Sequence, residues 1–250
     1  MTVASTAASR HSAPWACPCS GHGGAAGRSP ARRHRLTARA LLALPVLVAA
    51  CASAPPAPEW QMNAKAASER AIEAYLSGNA RVDAAESARA RAEVARTGRV
   101  DLLARVELAH CAVQVASLQF GPCAAFEPLR LDAAPPERAY ADYLAGRIDT
   151  AGAALLPEAH RAVVAQPGAL AGIADPLSRL IAAGVLFETN RADPATLQTA
   201  IDTASAEGWR RPLLAWLQVQ LKRVESGGAL TEAEALRRRI ALVEGRPAAP

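Results

Sequence analysis

The chain has 250 residues, with 28 Lys and Arg against 23 Asp and Glu and a formal charge of +5. Six of the arginines and no acid lie in residues 1–50, so residues 51–250 hold 22 basic and 23 acidic residues. A near-neutral body argues against nucleic acid as a partner and against a polybasic membrane patch, since both need clustered excess Lys and Arg.

Residues 1–35 are rich in Ala, Ser, Gly and Arg and show no helical period. They read as a disordered leader, or as translated sequence upstream of a true start nearer Leu36. Cys17, Cys19, His11, His22 and His34 lie here but lack any structural zinc spacing. Arg32, Arg33, Arg35 and Arg39 then precede an apolar run from Ala40 to Ala50. That run has 11 residues, far fewer than the roughly 20 needed to span a bilayer. A basic head, a short apolar middle and small residues at a cut site make residues 36–50 a secretory signal.

The run closes on Leu47-Val48-Ala49-Ala50-Cys51, which resembles the lipobox of bacterial lipoproteins. The resemblance implies cleavage before Cys51, lipidation of Cys51 and a membrane anchor at the new N-terminus. It also implies a location. Asp at the second mature position tends to retain enteric-type lipoproteins in the inner membrane. Ala52 is not Asp, so the inner leaflet of the outer membrane is expected, facing the periplasm. Residues 51–58 contain three prolines and no apolar period, the composition of a stiff tether. In the polyproline form, at about 3.1 Å per residue, it holds a domain roughly 20 Å from a membrane.

Residues 59–245 read as one helical domain, with a loose tail at 246–250. The first helix is expected over Glu59–Ser77, with Trp60, Ala64, Ala67, Ala71 and Tyr75 on one face and Gly78 as its stop. A second, from about Arg81 to Thr97 with Asn79 as cap, has only a weak stripe of Val82, Ala85 and Ala92. A third, strongly apolar helix runs from near Arg99 to Leu118. After a loop-like stretch from Phe126 to Pro136, a fourth covers Glu137–Ala145, turning Tyr140, Tyr143 and Leu144 inward. A fifth opens at Pro157 and ends near Ala165.

The last third carries stronger signals. Asp175-Pro176 and Asp193-Pro194 each pair an N-cap Asp with a first-turn Pro. Pro212 opens a helix bearing Leu213, Trp216, Leu217, Gln220, Leu221 and Val224. Thr231 and Glu234 have capping-box spacing ahead of a final helix with Leu236, Ile240 and Val243.

No segment alternates with period two, so the expected class is all-α, without sheet: eight or nine helices in antiparallel pairs, as a bundle or a short array. Helix end, Gly stop and restart recur at Gly78, Gly98 and Gly146. This faintly resembles tetratricopeptide helix pairs, but the glycines have no fixed period and the Trp-Leu-Gly-Tyr pattern is missing.

Cys111 and Cys123 are the only cysteines after Cys51. In an oxidising compartment a disulfide is the default for them, and Phe120-Gly121-Pro122 can turn the chain back for it. His110 beside Cys111 suggests a Cys–His nucleophile, but neighbouring helical residues do not face each other. His110 and His160 read as surface or half-buried histidines. Trp216 reads as core. Trp209, just after a Gly stop and beside Arg210 and Arg211, is the candidate for exposed recognition. No cofactor, metal site or catalytic motif is indicated.

Two classes of function follow. One is an interaction or scaffold protein of the cell envelope, tethered by Cys51 and docking other envelope proteins. The other is a periplasmic enzyme acting on cell-wall glycan or saccharide, which needs two close carboxylates in a groove. A small-ligand-binding lipoprotein, with tryptophans lining its pocket, is a third.

Overall fold

The computed structural model describes residues 57–246, so Cys51 and the segments expected to be leader, signal and most of the tether lie outside the described residues. Within them the chain is all-helical, with nine α-helices, three short 3₁₀ turns and no strand. The α-helices are α1 Glu59–Ser77, α2 Ala80–Ala95, α3 Val100–Ala116, α4 Pro135–Leu144, α5 Glu158–Ala165, α6 Pro176–Glu188, α7 Pro194–Ala206, α8 Arg210–Ser226 and α9 Leu230–Glu244. The 3₁₀ turns are Glu127–Leu129, Gly152–Leu155 and Pro167–Gly172. No described helix is long and apolar enough to cross a membrane.

Helix ends follow the cap chemistry in most places. Asp175 accepts from the Ser178 N–H at 2.7 Å, and Asp193 from the Thr196 N–H at 2.7 Å, each with a proline in the first turn. Asn79 caps α2 by accepting from the Val82 N–H. Gly78 and Gly146 adopt φ of 86° and 68°, a left-handed conformation that costs glycine little. Each ends its helix in a reversed turn: Asn79 N–H donates to Ala74 O, and Arg147 N–H to Asp142 O. After Gly146, however, no α-helix restarts; residues 147–151 lead into the 3₁₀ turn Gly152–Leu155.

Two other local expectations need correction. The Thr231–Glu234 capping box does not form: α9 begins at Leu230, behind Ala229, with no side-chain cap. Helix α8 starts two residues before Pro212, which sits in the first turn, where its missing N–H has no helical partner to lose.

Helices α3 and α6 form the trunk. Nine residues of α3 and eight of α6 are buried, distributed around each helix rather than along one stripe. Gly184 lets the two backbones close up: a Cβ there would lie 2.3 Å from the Val115 carbonyl oxygen. Trp216 of α8, fully buried, donates its indole N–H to Ala116 O at 3.1 Å. Phe187 meets its ring edge-on at 5.7 Å between centroids. Helix α4 packs on α3 and α5 on α6, and α6–α7, α7–α8 and α8–α9 pack as sequential pairs.

The helix pair α1–α2, joined by only Gly78 and Asn79, lies across α3. Its core is separate and small: Ala64, Ala67, Ala90 and Val94 against Val106. The expected α2 stripe is wrong. Val82 is 40% exposed, and Ser87, Ala90 and Val94 face inward instead. Ala85 and Ala92, expected on the stripe with Val82, are exposed as well.

Cys111 and Cys123 are joined by a disulfide with Cα atoms 5.6 Å apart. It ties α3 to the segment that carries Phe126, itself fully buried where a loop was expected. Closing a ring of 12 residues' separation contributes about 3 kcal/mol.

Candidate functional site

The most developed polar cluster lies in the notch where α1, α2 and α3 meet. Ser68, Ala71 and Ile72 of α1, Ser87, Ala90 and Arg91 of α2, and Val106, Ala109 and His110 of α3 line it. The cavity measures about 10 Å³, the space of a single water molecule. Asp83 of α2 is bonded to two of the residues that line it. Its Oδ1 receives the Ser87 hydroxyl at 3.2 Å and lies 3.0 Å from His110 Nε2. One turn beyond Ser87 on α2, Arg91 grips the nearly buried Glu107 with two nitrogens, Nη2 at 2.8 Å from Oε2. That bond holds the Arg91 guanidinium above its ordinary pKa, against the effect of burial.

Ser, His and Asp together invite comparison with a hydrolytic triad, but the order is wrong. A triad needs the imidazole between hydroxyl and carboxylate, so that it can take the hydroxyl proton. Here the carboxylate is in the middle and both partners share one of its oxygens. Ser87 has no imidazole to take its proton. The cluster instead joins helices: Asp83 and Arg91, two turns apart on α2, hold His110 and Glu107, one turn apart on α3.

A second feature ties the end of α1 to the start of α8, and it involves the three residues expected to form an exposed recognition patch. Trp209 is only 4% exposed. Its indole N–H donates to Glu73 Oε2 at 3.3 Å. Arg211 donates from Nε to the Tyr75 carbonyl at 2.7 Å and lays its guanidinium over the Tyr75 ring at 4.3 Å. Burial raises the Tyr75 phenol above its ordinary pKa, and the Arg211 charge opposes this. Only Arg210 is exposed, reaching Glu244 O at 3.5 Å. The expectation of an exposed Trp209 is therefore corrected. The Gly208 stop reverses the chain inward, because Trp209 is the residue that enters α8 from the buried side.

His160 is also misplaced by the sequence reading. It is fully buried, not surface or half-buried. Its Nδ1 lies 3.3 Å from the Tyr143 hydroxyl, and the Tyr140 and Tyr143 rings flank it at 5.7 and 5.0 Å. Its Nε2 has no hydrogen-bond partner. Burial pushes its pKa down to about 4, although the Asp175 charge acts in the other direction.

Asp83, Ser87, Arg91 and Glu107 were not singled out from sequence. One signal was present: Arg91 and Glu107 are 16 apart, as are Arg70 and Glu86, which pair at 2.9 Å across α1 and α2. Opposite charges at that spacing, on either side of a Gly stop, mark helix-hairpin register. Cys51 falls outside the described residues. Among the described residues no group of three or more His, Cys, Asp or Glu is placed to hold a metal ion. Comparison with protein-family models, with curated proteins and with solved structures finds no significant match.

Proposed function

We propose that the chain is an exported lipoprotein, anchored through Cys51 to the inner leaflet of the outer membrane, whose helical domain works by contact with other envelope proteins. The observation that carries this reading is the stretch Leu47-Val48-Ala49-Ala50-Cys51. It stands between a basic, apolar signal and a proline-rich tether that leads into the domain. A disulfide inside the domain suits an oxidising compartment. The disposition of the side chains supports contact over chemistry. In the α1–α2–α3 notch, Asp83 is taken up by Ser87 and His110, and Glu107 by Arg91. Elsewhere Glu137 is held by Arg105 at 2.6 Å, and Glu127 and Asp142 share Arg130. A glycan-cleaving pair needs one carboxyl free to protonate and a second free to attack or to activate water.

The test is export-dependent lipidation combined with in-cell cross-linking. The wild-type chain incorporates labelled palmitate and cross-links to a discrete envelope protein. Cys51→Ser loses both. Absence of label from the wild type removes the anchor. Label without any discrete cross-linked species removes the interaction role while leaving the anchor.

A further inference from the structure

We infer that His160 is an acid-operated latch: a proton on its imidazole releases α5 and the two flanking 3₁₀ turns from α4 and α6, while the α3–α6 trunk stays folded. The geometry supplies two reasons for the release. In the neutral ring, Nδ1 shares one hydrogen bond with the Tyr143 hydroxyl at 3.3 Å. In the imidazolium both nitrogens donate. Tyr143 can then only accept from Nδ1–H, and Nε2–H faces no acceptor, since that atom is buried with no partner. A buried charge lacking hydrogen bonds is costly enough that opening to water competes with it.

The groups facing the ring come from every element around it. Helix α4 brings Tyr140 and Tyr143. The turn before α6 brings Asp175, whose charge favours the proton. That carboxylate is already engaged in capping the Ser178 N–H at 2.7 Å. Arg179 of α6 is turned to Ile173 O, and Arg191, after α6, to Val164 O at 2.8 Å. On α5 itself Glu158 is exposed, and Arg161 donates to Leu156 O. The turns Gly152–Leu155 and Pro167–Gly172 contain no titratable residue. Of the other carboxylates on α4 and α6, Glu137 is held by Arg105, Asp142 by Arg130 and Arg147, and Glu188 is exposed.

The release is local because the segment is built from short pieces. Helix α5 has eight residues, and the turns beside it four and six. Elements with few buried contacts open below the global unfolding free energy. Leu156, Val163, Leu170 and Ile173 would become accessible, giving the domain an apolar surface at acid pH that it lacks at neutral pH. The latch is independent of the lipid anchor.

The test is amide hydrogen exchange on the full chain at pH 7.0 and 4.5, corrected for intrinsic rates. Amides of residues 152–172 are expected to lose protection at least tenfold more than those of α3 and α6 at the lower pH, and His160→Gln to abolish the difference. Unchanged protection, loss in step with the trunk, or the same loss in His160→Gln overturns the latch. If His160→Gln does not fold, the wild-type imidazole signal decides. The latch requires ring protonation and segment opening over one pH range; opening around a neutral ring overturns it.

Discussion

Arg211 covers the ring of Tyr75 at 4.3 Å and also donates to the Tyr75 carbonyl, so one side chain holds both the backbone and the aromatic face at the end of α1. This contact, with the Trp209–Glu73 hydrogen bond, links the α1–α2 pair to α8. Arg211→Ala is expected to lower stability by about 1–2 kcal/mol. Arg211→Lys should recover less than half of that, because an ammonium keeps the charge but not the planar fork. Urea denaturation of the two variants makes the check; equal stability of Lys and Arg at this position would show that charge alone suffices.

The close approach of α3 and α6 at Gly184 should be intolerant of one added methyl group. A Cβ 2.3 Å from a backbone oxygen forces the helices apart rather than a side chain aside. Gly184→Ala should cost about 2 kcal/mol or more, despite the better helix propensity of alanine. A rise in Tm for this variant would contradict the packing described.

Arg91 and Glu107 give a sharper contrast. The Glu107 side chain is only 5% exposed, so Arg91→Ala strands a nearly buried carboxylate and should cost about 3 kcal/mol. The double variant Arg91→Met with Glu107→Leu should be distinctly more stable than Arg91→Ala, since it removes the buried charge along with its partner. A double-mutant cycle measures the coupling, and additivity would mean that the pair is not coupled.

His160 fixes the sign of one pH dependence. Its folded-state pKa, about 4, lies below the ordinary value of 6.5, so the folded state binds fewer protons between these limits. Its contribution to stability is complete above pH 6.5 and is lost as pH falls towards 4. Over that window the loss is about 3 kcal/mol at most. Glu86, Asp101, Glu127 and Asp193, all held below the usual carboxylate range by hydrogen bonds, act only at lower pH. Chemical denaturation of wild type and His160→Gln from pH 7 to 4.5 should show curves that converge on acidification. Parallel curves would place the ring's titration elsewhere.

How much of this was legible in the sequence depended on the kind of signal. Helix α1 was read to the residue, because an alanine stripe and a glycine stop agree on its limits. The Asp-Pro openings of α6 and α7 were equally clear, since cap and first turn are local chemistry. Trp209 and His160 were not legible. Each follows a break in the chain, and its burial is decided by partners far away in sequence: Glu73 for the tryptophan, Tyr140 and Tyr143 for the histidine. The inward face of α2 was hidden for a different reason. Where alanine lies on all sides of a helix, apolar periodicity is almost flat and does not mark the face that packs. The notch around Asp83 needed the register of α2 against α3, which no single helix displays.

The measurement closest to the central claim is the intact mass of the protein extracted from membranes of cells that export it. The account predicts one species that begins at Cys51, carries acyl chains on that residue and has Cys111 and Cys123 oxidised to each other. A product that retains residues 1–50, or begins at Cys51 without acyl mass, would contradict the anchor and with it the placement of this domain at the membrane.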